Sequence, residues 1–324
     1  MSHAFDAMVA RRYVPRTQAV HGFEYTALAT FERARELGVA TILHLPSLDS
    51  RAYELIQHRE KANWPELTAE QDPYFHTKFE RRYERRQKEI ALADVIIANS
   101  QLTARSHIAA GADPEKVFVA RLGAPPVHRV VQRNPHSLNQ PLSVIWAGAF
   151  SLRKGAHYLI DALKRLDARE QIQVNVYGEL TAPERLLRAA PNTVKFHGSV
   201  PRTILFEAFT HADVLVFPTL SDGFGMVITE ALAHGLPVIT TDCAGAAELI
   251  GPDNGVIVPS SDAAALADAL RWCLDNRKQL FEMREDAAKA AHSRQWVDFR
   301  RDLIDVIEKG LSKTGFNPAF KRAA

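Results

Sequence analysis

Ser221–Glu230 reads SDGFGMVITE, and its residue types suit the capture of an anion. Gly223 and Gly225 place no side chain between a ligand and the backbone. A helix beginning near Met226 would aim unpaired N–H groups and a partial positive charge at that bend. Such a turn, from Gly223 through Phe224 and Gly225 to Met226, could hold a pyrophosphate without a metal ion. Asp222 precedes the helix and Glu230 lies within it. A carboxylate at either place could accept hydrogen bonds from a pair of sugar hydroxyls. The same residues also describe an Asp-Gly turn followed by a capped helix with a surface glutamate.

A second cluster is Ala147–Gly155, AGAFSLRKG, between a strand and a helix. Arg153 and Lys154 stand close to a helix start, where cations oppose the helix dipole, so an anionic partner would explain them. Arginine can grip a phosphate with two N–H groups, and lysine acts as a point charge. Two solvated cations in a loop is the alternative. His44 ends the run VATILHL. A histidine at the carboxyl end of a parallel strand can face a cleft or can be structural. Glu248, in CAGAAELIGPDNG, could brace a loop near the same face. Gly223-Phe-Gly225 starts a G-x-G pattern, but Ile228 stands where a dinucleotide fingerprint has its third glycine. Phosphate-loop, nucleophile-elbow and HExxH motifs are absent from the sequence.

These residues need strands and helices to position them. Short β-branched runs alternate with helical patterns along the chain. The strand candidates are Phe5–Val9, Ala40–Leu45, Val95–Asn99, Val117–Arg121, Ser143–Ala147, Gln173–Tyr177, Val194–His197, Val214–Pro218, Pro237–Thr240 and Gly255–Val258. Helical patterns fall at Thr26–Leu37, Ala156–Leu166, Leu205–His211 and Ala263–Asn276. This alternation predicts an α/β fold with parallel sheets, on which ligands sit at the carboxyl ends of strands.

A chain of 324 residues is long for one core and implies two domains. The proline-rich stretch Gly123–Pro141 reads as the break between them. The expected division is a domain over 1–125, a linker over 126–141, a second domain over 142–295, and an amphipathic C-terminal helix over 296–324 packing back on the first domain. Between Arg51 and Glu89 lies a charged insertion, within which KFERRYERRQKE stacks Arg81, Arg82, Arg85 and Arg86 on neighbouring turns. That run reads either as a solvated helix face or as a contact for anionic lipid or a phosphorylated acceptor.

The formal net charge of +2 implies no nucleic-acid field. Two cysteines without motif spacing, Cys243 and Cys273, argue against a disulfide scaffold or a zinc site and fit a reducing compartment. No apolar run reaches the roughly 20 residues of a spanning helix. The opening MSHAFDAMVARRY is no secretory signal. The expected location is the cytoplasm, with peripheral contact at the inner membrane face left open.

Taken together, three segments resemble retaining glycosyltransferases of family 4, the group 1 type with the GT-B fold. They are FHGSVPRTILFEAFTHADVLVFPTLSDGFGMVITEALAHGLPVITTDCAGAAELI, SLRKGAHYLIDAL, and LADVIIANSQLTARSHIAAGADPEKVFVARLGA. The resemblance covers roughly Ala40 to Asn276. It implies two Rossmann-like domains whose parallel sheets face each other across a cleft. It further implies that Lys154, with Arg153 near it, holds the donor diphosphate, that Glu230 binds the ribose, and that Asp222 contacts the donor sugar. The turn Gly223–Met226 would give amides to phosphate and sugar, Gly198 would begin a loop near the base, and His44 would line the cleft from the N-terminal side. Two departures stand out. Asp222 replaces a glutamate one methylene longer, and Ala149 stands where an arginine often follows the glycine of the first C-domain strand. The chain also enters partway through the family's N-terminal domain, without its glycine-rich loop, so a reduced N-terminal domain is expected.

The function so implied is transfer of a sugar from a nucleotide-diphosphate sugar to an acceptor hydroxyl, with retention of configuration and without metal or other cofactor. The acceptor, a glycan or a lipid-linked sugar, is not readable. A nucleotide-sugar-binding module or complex subunit without transferase activity is the alternative, with a protein partner or second copy covering the reduced domain. An epimerase on the same fold is a third reading.

Overall fold

The β-branched runs form ten parallel strands in two sheets among the described residues, which are 2–68, 74–127, 140–166 and 171–313 of this computed structural model. The chain divides into two units. One comprises Met1–Glu60, Gln71–Arg121 and Val297–Ala324, the other Lys61–Glu70 and Leu122–Trp296. The α/β expectation with parallel sheets therefore holds. Residues 128–139 of the expected linker and 314–324 of the C-terminal segment lie outside the described residues. No helix of the described residues is long and apolar enough to cross a membrane.

In the first unit, β1 (Ala19–Phe23), β2 (Ala40–Leu45), β3 (Val95–Ala98) and β4 (Val117–Val119) lie in sequence order. One face packs Leu43, Leu45 and Ile96 against Phe31 of α2 (Leu28–Leu37) and Ile90 of α5 (Tyr74–Leu92). The other packs Ala40, Ile42, Val95 and Ile97 under Leu303, Ile307 and Leu311 of α13 (Trp296–Lys313). Gly310 makes that last contact close, since a Cβ there would stand 2.7 Å from Val95.

The strand expected at Phe5–Val9 is instead part of helix α1 (Ser2–Arg12). Its buried positions are Asp6 and Ala10, a helical spacing, while Phe5 is exposed. Asp6 accepts hydrogen bonds from the Ala29 and Thr30 amides, both at 2.9 Å, and so satisfies the start of α2. Glu89 of α5 does the same for the preceding loop, accepting from Tyr25 N at 2.5 Å and Ala27 N at 3.0 Å. The opening strand, Ala19–Phe23, was hidden from sequence reading because His21 and Gly22 interrupt its apolar pattern.

The arginine run on α5 is neither wholly solvated nor wholly available to a partner. Arg81 and Arg82 are exposed, but Arg85 pairs with Asp6 at 2.6 Å and Glu89 at 3.2 Å. Arg86 is fully buried, paired with Glu24 and bonded to Ser50 Oγ at 2.8 Å and Leu48 O at 2.9 Å. Burial raises the Glu24 carboxyl above its usual range, and the Arg86 charge opposes that rise.

Two buried histidines in this unit have depressed pKa values. His44 stacks on Phe23 at 5.1 Å and on His21 at 5.5 Å, and burial pushes it down to about 4. His107 is pushed down to about 4 by burial and then by the Arg86 charge. Each stays neutral in the fold, and as pH falls it binds its proton first in the unfolded chain. Their contribution is therefore full above the ordinary histidine range and is lost as pH falls from about 6.5 toward 4. For His44 the ceiling is about 3 kcal/mol at roughly 1.4 kcal/mol per pKa unit. Glu24 and Glu89, raised by burial, act with the opposite sign, so the readout is a difference between proteins. Urea midpoints between pH 7 and pH 4 should fall more steeply for the wild type than for His44→Phe. Parallel pH profiles would contradict the assignment.

The second unit holds β5 (Leu142–Ala147), β6 (Ile172–Tyr177), β7 (Val194–Gly198), β8 (Val214–Phe217), β9 (Val238–Thr241) and β10 (Gly255–Val258), ordered β10-β9-β8-β5-β6-β7. Strands β8 and β9 are buried on both faces, as their unbroken apolar runs require. One face packs against α7 (Ala156–Leu166) and α11 (Ala263–Asp275), the other against α10 (Met226–Ala233) and α12 (Arg277–His292). From Lys61–Glu70, which the sequence reading ran with the first domain, Leu67 joins this core and Trp64 Nε1 donates to Tyr158 Oη at 3.3 Å.

Candidate functional site

Strand order reverses at β5, whose neighbours are β6 on one side and β8 on the other. The loops leaving the carboxyl ends of β5 and β8 part there, and open α/β sheets bind ligands at such a point. Those two loops are Gly148–Gly155 and Pro218–Gly225, the stretches whose residue types suit an anion.

Backbone packing locks them together. Gly155 ends the Leu152–Lys154 turn with φ +80, and a Cβ there would run into Pro218 O. Only glycine allows the start of α7 to lie this close to the end of β8. Ser151 Oγ accepts from Lys154 N at 3.3 Å, and Leu220 N donates to Arg153 O at 3.0 Å. The Arg153 guanidinium donates to Ser221 O at 3.0 Å, so this arginine braces the neighbouring loop. Lys154 Nζ, largely buried, pairs with the Asp222 carboxylate and lies 5.0 Å from the centre of the Phe217 ring. Burial lowers the Lys154 pKa and the Arg153 charge adds to the drop, while Asp222 opposes both.

The loop after β8 is backed by the segment after β9. Asp222 N donates to Cys243 O at 3.0 Å, Gly245 N to Asp222 O at 3.1 Å, and Ala246 N to Phe224 O at 2.6 Å. Gly225 takes φ +85 as it enters α10, with its Cβ direction 3.1 Å from the Phe217 ring. The sequence reading offered the Phe224 amide to a ligand. Here it donates to Asp222 Oδ1 at 3.2 Å, because an aspartate two residues upstream closes an Asx turn, and the Phe224 ring is buried. The Met226 and Val227 amides, the first two of α10, have no partner within the helix and carry its positive end, whereas Ile228 N donates to Gly225 O at 2.9 Å.

Glu230 sits on the second turn of α10, 9% exposed, and pairs with Arg202 at the start of α9 (Arg202–His211). Gly198 has φ +69 with open space around its Cβ direction, and its carbonyl accepts from Gly178 N at 2.8 Å. Glu248 is exposed in the turn Gly245–Leu249, which the bonds above brace against the Asp222–Phe224 bend. His44 belongs to the first unit and is seated there by its ring stack. Sequence reasoning missed Arg202. The signal was present: like Lys154, it is a cation at a helix start, and such a charge calls for an acid nearby.

A cation beside a helix N-terminus at a switch point, with carboxylates on the same loop and helix, can hold an anionic group and grip hydroxyls attached to it. Residues 141–276 match the model of the family described as glycosyl transferases group 1. The matched stretch lies within the second unit, which carries both loops. A D-inositol 3-phosphate glycosyltransferase of Corynebacterium glutamicum is 28% identical over 249 residues, covering 68% of this chain and 58% of its own length. A putative colanic acid biosynthesis glycosyltransferase of Salmonella typhimurium is 27% identical, covering 74% of this chain and 57% of its own. The chain thus spans under three fifths of these two relatives. Among solved structures, Alr3699/HepE of Anabaena in complex with UDP superposes with a TM-score of 0.72 at 19% identity, over 94% of this chain and 82% of that one. At that identity the likeness establishes the fold, which is that of the GT-B glycosyltransferases.

Proposed function

We propose that this chain transfers a glycosyl group from a nucleoside diphosphate sugar to an acceptor hydroxyl, retaining the anomeric configuration and using no metal. The observation that carries this reading is the Lys154–Asp222 pair at the β5/β8 switch point, beside the open end of α10. Similarity to relatives named as glycosyltransferases, and to a structure holding UDP, supports it.

In this mechanism the donor diphosphate lies between Lys154 and the first amides of α10. As the bond from the sugar to the diphosphate breaks, negative charge grows on the departing oxygen. Fixed donors aimed there act most strongly in the transition state. An incoming diphosphate takes over Lys154 as its counterion, which frees Asp222 to accept from hydroxyls of the donor sugar. The acceptor hydroxyl attacks from the face the diphosphate leaves, and its proton passes to the departing phosphate oxygen. Glu230 holds the ribose.

A thermal-shift panel of UDP-, GDP- and ADP-sugars tests the donor class. A true ligand at 100 times its Kd stabilises by roughly 2.7 kcal/mol. The same samples, assayed for nucleotide release with and without acceptor alcohols, separate transfer from binding alone. Binding without any release would favour the binding-module alternative. No shift with any nucleotide sugar would overturn both.

A further inference from the structure

We infer that Arg202 is a positioning residue for the ribose of the nucleotide, acting through Glu230 and resting on the functional reading above. Nothing in the family match singles out this arginine, and its packing does not explain it as a device for stability. Its side chain is 67% exposed, and pairs that open contribute little to folding. It also stands at the start of α9, where a cation opposes the helix dipole.

What the surroundings do is fix the carboxylate. The Arg202 guanidinium lies 5.4 Å from the centre of the Phe206 ring, one turn along α9. Phe206 packs against the His234 ring at 4.6 Å. His234 Nδ1 is 2.7 Å from Glu230 O. Arg202, Phe206, His234 and Glu230 therefore form a closed ring of contacts spanning α9 and the end of α10. His234 meets the Glu230 backbone directly and reaches Arg202 only through the Phe206 ring. The pair engages Glu230 Oε1, and Oε2 has no hydrogen-bond partner among the described residues.

A planar guanidinium on one oxygen sets the plane of the carboxylate and leaves the other oxygen for a donor. Two neighbouring hydroxyls on a ribose present two such donors at a fixed spacing. The ligand class is thus a ribonucleotide, and its recognition depends on the carboxylate plane as well as its charge. Lysine in place of Arg202 would keep the charge and lose the plane.

The test is calorimetric titration of the full chain with UDP and with 2′,3′-dideoxy-UDP. The wild type should prefer UDP by about tenfold or more, as sites built around a hydroxyl reject analogues without it. In Arg202→Ala that preference should shrink to within about threefold, with affinity for the dideoxy form unchanged, and Arg202→Lys should fall between. An undiminished preference in Arg202→Ala would overturn the inference. So would an equal loss for both ligands, which would mean that Arg202 meets the base or the diphosphate. A wild type that binds both nucleotides equally would remove the ribose role of Glu230 and this inference with it. A wild type that binds no uridine, guanosine or adenosine diphosphate would overturn the functional reading itself.

Discussion

Lys154→Ala should lower kcat by about 10²- to 10³-fold, the usual loss when one fixed donor to a developing negative charge is removed. The structure gives this lysine three roles that a surface cation would lack. Its ammonium is mostly shielded from water, it faces the aromatic ring of Phe217, and it is held by Asp222. Shielding makes its charge more effective at short range. The same shielding makes the charge easier to lose, since burial lowers its pKa. The protonated form is the active one. Activity of the free enzyme, read as kcat/KM, should therefore fall as pH rises through a value below the ordinary lysine range, and that limb should vanish in the alanine variant. Wild-type turnover in Lys154→Ala would show that the diphosphate does not sit on this loop. Lys154→Arg keeps the charge but must fit a larger head into the same slot, so partial recovery is expected.

The second large effect concerns stability. Arg86→Met should destabilise the first unit by about 3–5 kcal/mol, the range for breaking a buried ion pair by removing one partner. Methionine fills much of the same space, so the loss comes from Glu24 and the nearby Asp49, left buried without their cation. Adding Glu24→Gln should recover part of it, and the double-mutant cycle gives the coupling directly. The chain reports on this itself. Its tryptophans, Trp64, Trp146, Trp272 and Trp296, belong to the second unit. Urea unfolding of Arg86→Met should thus show an early loss of helical signal by circular dichroism, before tryptophan fluorescence changes. Coincident transitions at the wild-type midpoint would refute the assignment.

How much of this could be read from the letters depends on whether the partners are close in sequence. Ser221–Glu230 and Ala147–Gly155 are each contiguous, and each follows a strand. Their meeting at one sheet edge was therefore predictable from the alternation of strands and helices. The Asx turn that takes the Phe224 amide was local too, yet it competes with ligand binding for the same N–H, and sequence alone does not decide such a competition. The α5 arginines were misread for the opposite reason. Besides Glu89 on the same helix, their acids come from three other places in the chain, Asp6, Glu24 and Asp49, with Asp6 lying 79 residues from Arg85. Spacing along one helix shows which arginines share a face, and it is silent about what that face meets. The Phe5–Val9 strand failed because so short a run of mostly apolar residues fits either period, and the buried Asp6 and Ala10 decided for the helix.

Helix α13 carries a consequence for biosynthesis. It supplies Leu303, Ile307 and Leu311 to one face of a sheet whose strands were made some two hundred residues earlier. On the ribosome, Ala40, Ile42, Val95 and Ile97 emerge long before their cover does. The unit that is translated later is assembled from a nearly continuous stretch and can close first, reversing the usual order in which domains mature from the N-terminus. During that interval the earlier sheet must be shielded by a chaperone or by loose collapse, and it gains this layer only as α13 leaves the exit tunnel.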